Sequence, residues 1–191
     1  VFWIILGLIL PATGKFTVSQ KAVFIMKIIE LKHTEEKLRF LNFRDAQTGL
    51  YNRAYFCEEM ERLESSRQFP ISIIACGLED LEQINNTLGD DTIERMIIAT
   101  AHVLAANIFR KEDLVARIAE NQFAILLTKV NGIDIFSIRS RLQRAITNYN
   151  KQDKDDDLLR PISLLCGFVT VHQGGSIFEE YRRINLLWNM R

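Results

Sequence analysis

Behind Pro70 the chain reads Ile-Ser-Ile-Ile-Ala-Cys-Gly over Ile71–Gly77, an almost unbroken apolar run rich in β-branched residues. It lacks the strict polar–apolar alternation of a strand with one wet face, so it reads as a central strand buried on both faces. Such a strand needs a covering layer on each side, and the neighbouring segments carry helical patterns. Arg53–Ser66 reads as a helix ahead of it, and Glu79–Leu88 as a short amphipathic segment behind it. Thr92–Phe109 is a longer helix with Met96, Ile97, Thr100, Ala101 and Leu104 at inward spacings. Leu114–Ile118 and Phe123–Leu127 are short strands separated by Ala119-Glu120-Asn121-Gln122, which predicts a hairpin. Asp134–Tyr149 reads as a helix, Ile162–Val171 as a strand and Ile177–Met190 as a closing helix. Strands alternating with helices specify an α/β (α+β) sandwich with one central mixed sheet flanked by helices.

A length of 191 residues suits one full domain plus a stalk or fragment, and 48% hydrophobic with 25% charged residues is globular composition. The 24 basic and 24 acidic side chains cancel, which argues against a broad nucleic-acid surface but leaves room for a small basic pocket. Cys57, Cys76 and Cys166 form no CxxC pair and read as small buried hydrophobes in a reducing compartment. His33, His102 and His172 have no metal-ligand spacing, and the acidic run Asp153–Asp157 lacks the spacing and glycine of a calcium loop.

Opening on Val1 rather than Met, the chain is expected to be part of a longer protein. Val1–Leu10 is strongly apolar, yet Pro11 stops it at about half a bilayer-spanning length, and no basic start marks a signal peptide. It is therefore expected to be a strand, pairing with the β-rich run Lys21–Glu30 as a hairpin over residues 1–30. No direct membrane segment is expected in this chain. From Leu31 the period changes, with Leu31, Thr34, Leu38 and Leu41 in the a/d rhythm of a helical seam over residues 31–43. That spacing suits a signalling stalk pairing with its twin, and it suits a plain connecting helix equally well.

Beyond Phe43, Asp45, Thr48, Gly49, Leu50, Asn52 and Arg53 match the entry motif D-x-L-T-G-L-x-N-R, with Gln47 in place of its leucine. Gly77–Asp90 falls on D-x-D-x-F-K-x-x-N-D-x-x-G-H, and the hairpin Ala119–Phe123 stands where G-G-D/E-E-F would. Gly167 keeps a glycine of the later strand, and Trp188 and Arg191 fall where L-Y-x-A-K ends. In this order the motifs resemble the GGDEF domain, the diguanylate cyclase fold of bacterial c-di-GMP signalling, over residues 44–191. The resemblance implies a nucleotidyl-cyclase-like fold.

In working members of that family two carboxylates hold the Mg²⁺ ions that bind the GTP phosphates. The matching positions here are Gly77 and Asn121. Glycine supplies no ligand and asparagine one uncharged oxygen, whereas magnesium prefers hard charged oxygens. Gln122 replaces a further carboxylate, Glu82 stands where a phosphate-binding lysine belongs, and Ala119-Glu120 adds two Cβ atoms where paired glycines let a nucleotide approach. Glu79 could offer a carboxylate two residues on from Gly77, on the same strand face. The resemblance therefore implies a degenerate site with neither cyclase activity nor bound Mg²⁺. Asn85 keeps the position that reads the guanine edge, and Glu94 falls where relatives carry Asp; residual guanine binding is one reading of the pair, and a turn-capping Asn85 is the other.

Arg110-Lys111-Glu112-Asp113 matches R-x-x-D, the product-inhibition site of the family, with Asp113 at the family's offset from the hairpin. Arg141, on the helix after the hairpin with Arg139 and Arg144 alongside, takes the place of the site's further arginine. The resemblance implies a c-di-GMP site at Arg110, Asp113 and Arg141, while a local surface ion pair is the plain alternative. It further implies a bacterial, cytoplasmic signalling chain, membrane attachment of the full-length protein being compatible with it. Phe24–Lys32 is similar to the last strand of a PAS sensor domain, and degenerate members often precede an EAL phosphodiesterase domain. The partners expected are thus c-di-GMP, a second copy through Leu31–Leu41, an upstream PAS and a downstream EAL domain, and no nucleic acid.

Overall fold

The computed structural model describes residues 18–108, 110, 112–152 and 161–189. The chain divides into two units, residues 1–42 and residues 43–191. The described part of the first is helical: helix α1 spans Val18–Phe43. The run Lys21–Glu30 is thus helix, which corrects the expected hairpin and removes the strand on which the PAS similarity rested. Its β-branched composition suggested a strand, but no glycine or proline interrupts Val18–Phe43, and Val23-Phe24-Ile25-Met26 does not alternate. A strand also needs a partner ladder, whereas a helix satisfies its own backbone. The expected strand Val1–Leu10 lies outside the described residues.

In the second unit, β1 (Tyr51–Asn52) leads into α2 (Arg53–Glu64), and β2 (Ile71–Leu78) into α3 (Leu81–Leu88) and α4 (Asp90–Ala106). The hairpin β3 (Leu114–Ala119) and β4 (Gln122–Thr128) is followed by α5 (Gly132–Gln152), β5 (Leu164–Val171) and α6 (Ile177–Asn189). The sheet order is β1-β3-β4-β2-β5; β1 is parallel to β3 and the other neighbours are antiparallel. This is the mixed sheet that the sequence predicts.

Every residue of β2 is buried, and its side chains divide by parity. Ile74, Cys76 and Leu78 face a layer built by Met96, Ile97, Ala101 and Leu104 of α4 with Leu142 and Ile146 of α5. Ile71 and Ile73 face Phe56, Met60 and Leu63 of α2 with Ile177 of α6. The inward positions predicted for α4 are all buried.

Element ends depart from the pattern where side chains cap the backbone. The Oδ1 of Asn131 accepts from the N–H groups of Ile133 and Asp134 (2.9 and 3.0 Å), so α5 begins at Gly132, not Asp134. α4 ends at Ala106, where the side-chain amide of Asn107 donates to the Val103 carbonyl at 2.8 Å. Asn150, read as loop, is helical, and its amide bonds both backbone groups of Ile162 at 2.9 Å. Ile73→Ala, which truncates a side chain with no exposed surface, is expected to lose about 2–5 kcal/mol of stability in urea unfolding. Ile133→Ala, at a position 82% exposed, should stay within about 0.5 kcal/mol.

Candidate functional site

The entry motif folds as a compact turn. The Asp45 carboxylate accepts from the Thr48 N–H (2.9 Å) and hydroxyl (2.6 Å), and Gly49 takes φ +70°, which a side chain would resist. Leu50 then enters the core, and Asn52 caps α2 by accepting from the Tyr55 N–H at 3.0 Å. Arg44 stacks over the Tyr51 ring, 3.6 Å from its centroid, and Tyr51 stacks on Tyr55.

This turn is tied to the hairpin by Arg117, whose side chain is only 11% exposed. Its Nη1 donates to Asp45 Oδ1 (3.1 Å) and Gln47 Oε1 (2.5 Å), while Nε and Nη2 donate to the Glu120 carbonyl (3.2 and 2.8 Å). Gln47 passes the contact on, its amide donating to Glu94 Oε1 of α4 at 2.7 Å. Burial pushes the Asp45 carboxyl up, but the hydrogen bonds from Thr48 and Arg117 outweigh it and leave it below its ordinary value of 3.8. The one sequence signal of Arg117 as a hub is a lone charge inside the apolar strand Leu-Val-Ala-Arg-Ile-Ala.

The structure brings Gly77 and the hairpin together at one end of the sheet. Gly77 pairs directly with Gln122, and the Leu78 N–H donates to the Asn121 carbonyl at 3.0 Å. The Asn121 side-chain amide, at the position of the family's carboxylate, points its Nδ2 at the Leu78 carbonyl (3.5 Å). Ala119 and Glu120 are exposed at the turn. Glu79 is engaged elsewhere, its Oε2 accepting from the Ser163 hydroxyl at 2.7 Å. Glu82 and Asn85 fall on α3, and their side chains lie outside the described part. Trp188 lies on α6 with its side chain likewise outside, as do Arg191 and the acidic run Asp153–Asp157 altogether.

Arg110 and Asp113 lie on the loop before β3 and Arg141 on α5, and both guanidiniums act on the charge of Asp113. The Asp113 N–H donates to the Arg110 carbonyl at 3.2 Å. Burial, with the like charge of Glu112, raises the Asp113 carboxyl above its ordinary value even though the guanidiniums of Arg110 and Arg141 and a backbone bond to Thr128 all pull it down. Its Oδ1 is buried and has no hydrogen-bond partner among the described residues. Arg139 and Arg144 do not share this site; both are exposed and line a groove with Phe136, Gln143 and Lys151, to which Arg141 does not contribute.

With this geometry in view, the comparisons with known proteins agree on the class. The family model "Diguanylate cyclase, GGDEF domain" matches residues 42–184, and the chain belongs to the GGDEF-domain family. Among curated relatives, it is 27% identical over 144 residues to the probable diguanylate cyclase DgcJ of Escherichia coli, covering 74% of this chain and 27% of that protein. It is 19% identical over 168 residues to the probable diguanylate cyclase DgcT of Escherichia coli, covering 87% of this chain and 37% of that protein. The chain thus spans well under half the length of these relatives. In fold it is similar to the coiled coil and GGDEF domain of Caulobacter crescentus DgcB, solved with c-di-GMP (TM-score 0.73, 19% identity, 88% of this chain and 90% of that one). It is also similar to Vibrio cholerae LapD S helix-GGDEF-EAL, bound to c-di-GMP (TM-score 0.68, 17% identity, 81% of this chain and 35% of that one). Among the described residues, no helix is long and apolar enough to cross a membrane.

Asp45 links the entry turn to pH. Its folded value is depressed, so as pH falls the unfolded chain takes up the proton first. The stabilisation is whole above the unfolded value, near 4, and is lost as pH falls through the folded value. Urea unfolding from pH 7 downward should show that acid loss, and Asp45→Asn should flatten it while lowering stability at pH 7 by about 1–2 kcal/mol.

Proposed function

We propose that this chain is a catalytically inactive GGDEF domain that binds c-di-GMP at Arg110, Asp113 and Arg141 and relays the bound state to a neighbouring domain. The observation that carries the reading is the half-buried Asp113 carboxylate, flanked by two guanidiniums, with one buried oxygen that accepts no hydrogen bond among the described residues. Guanine presents N1–H and N2–H₂ donors that match such an oxygen, and an arginine fork suits guanine O6/N7 or a phosphate. Leaving a buried acceptor unmatched costs about 1–3 kcal/mol, which a ligand donor would recover.

Loss of catalysis rests on the hairpin end of the sheet. Gly77 offers no side-chain ligand, Asn121 points a donor rather than a carboxylate at β2, and Glu79 is bonded to Ser163. These residues do not fit a pair of Mg²⁺ ions, and no phosphoryl-transfer step is derived through them. The Glu94 carboxylate, at a position where relatives carry Asp, is already engaged by the Gln47 amide.

Titration calorimetry is expected to show c-di-GMP binding, weakened at least about tenfold by Arg110→Ala, a loss typical of hydrogen bonds to charged groups. No binding to the parent chain would overturn the receptor reading. Incubation with GTP and Mg²⁺ should yield no c-di-GMP; product formed by the purified chain would overturn the loss of catalysis.

A second reading, a module that binds no nucleotide and regulates an attached domain (an EAL domain, for example) by dimerising, is favoured by α1. Along it Val23, Ile25, Met26, Ile29, Leu31 and Leu38 are all more than half exposed. Apolar surface of that kind is matched by a second copy of the same helix. Light scattering should find dimers that Leu31→Glu with Leu38→Glu converts to monomers, and on this reading c-di-GMP and GTP leave the melting temperature unchanged.

A further inference from the structure

Cys76 lies in the central strand β2 and Cys166 in the edge strand β5, ninety positions apart in sequence, yet they are direct cross-strand partners in the antiparallel ladder. Their sulfurs are 2.8 Å apart, the Cys166 thiol donating to Cys76 Sγ. Opposed residues of an antiparallel pair have Cα atoms about 4.5 or 5.5 Å apart, both inside the roughly 4.4–6.8 Å window that a disulfide spans. Both cysteines are free, Cys76 wholly buried and Cys166 partly exposed. Of the pair, Cys166 is thus the residue that an oxidant meets first, and its partner is already in contact with it.

We propose that Cys76 and Cys166 form an oxidant-responsive dithiol that closes into a cross-strand disulfide between β2 and β5. With hydrogen peroxide as oxidant, the sulfur of Cys166 attacks one peroxide oxygen, the O–O bond breaks, and a sulfenic acid and one water form. The Cys76 sulfur then attacks the Cys166 sulfur. The S–S bond forms, the S–O bond breaks, and the hydroxyl leaves as a second water carrying the Cys76 proton. Two thiols and one peroxide thus become one disulfide and two waters. The order follows from exposure and from the Cys76 thiol itself, which its contact with Cys166 and then its burial push well above its ordinary value. The bridge sits one residue from Gly77, which pairs with Leu165 in the same ladder, so it would fasten this seam beside the degenerate hairpin end.

The test uses the 191-residue chain. After treatment with a small excess of hydrogen peroxide, the protein is alkylated in denaturant and digested for mass spectrometry. Two of its three cysteines should resist alkylation, the peptides carrying Cys76 and Cys166 should be joined, and dithiothreitol should release them, while Cys57 stays alkylated. Cys166→Ser should abolish the joined peptide and leave Cys76 alkylatable; Cys76→Ala, which also removes the partner, should abolish it as well. Three alkylatable thiols after oxidant, Cys166 converted to sulfinic acid without a crosslink, or a bridge through Cys57 would each overturn the proposal.

Discussion

The fold depends on β2 being hydrogen-bonded on both edges and covered on both faces. Every residue of the strand is buried, so its backbone groups must find partners in β4, β5 and the hairpin turn, and the register is set along almost its whole length. A slip of one residue would send Ile73 toward α4 and Ile74 toward α2, exchanging the two cores. Because that register is fixed, the C-terminal end of β2 meets the hairpin turn at one place, with Gly77 opposite Gln122. The same register sets Cys76 against Cys166.

Arg117 is a second fixed point, of a different kind. It bonds the Asp45 carboxylate, the Gln47 amide oxygen and the Glu120 carbonyl, and so joins the entry turn to the hairpin. The residues that hold the turn belong to a charge-assisted network with most of its atoms satisfied. At the neighbouring end of β2, Asn121 and Glu79 bond to the Leu78 carbonyl and the Ser163 hydroxyl.

The loop ahead of β3 keeps its own electrostatic logic. Asp113 is drawn into a partly buried position where desolvation outweighs two nearby guanidiniums. A carboxylate in that state is poorly compensated, in contrast to Asp45, whose hydrogen bonds outweigh its burial. Two residues of one type thus end in opposite electrostatic states, set by what surrounds each of them.

Much of the second unit is legible in the amino-acid order because its signals are local. The unbroken apolar run of β2, the inward positions of α4 and the existence of the hairpin follow from periodicity, though its turn is the two residues Glu120-Asn121 and not the four expected, and the entry turn follows from Asp45, Thr48 and Gly49 at fixed spacing. R-x-x-D was legible as a motif, and so were the departures at Gly77, Asn121 and Gln122. Local signals failed where composition competed with continuity, as in Lys21–Glu30, whose β-branched residues lie in a helix that nothing interrupts. They were silent wherever residues far apart in the chain meet. Arg117 reaching Gln47 and Asp45, Gln47 reaching Glu94, and Cys76 facing Cys166 are products of sheet order and register. In the second unit, sequence by itself determined which elements form, since propensity, period and side-chain chemistry act within a few residues. Only the tertiary structure decided which side chains share a site, because that depends on strand order and register, to which distant segments contribute together.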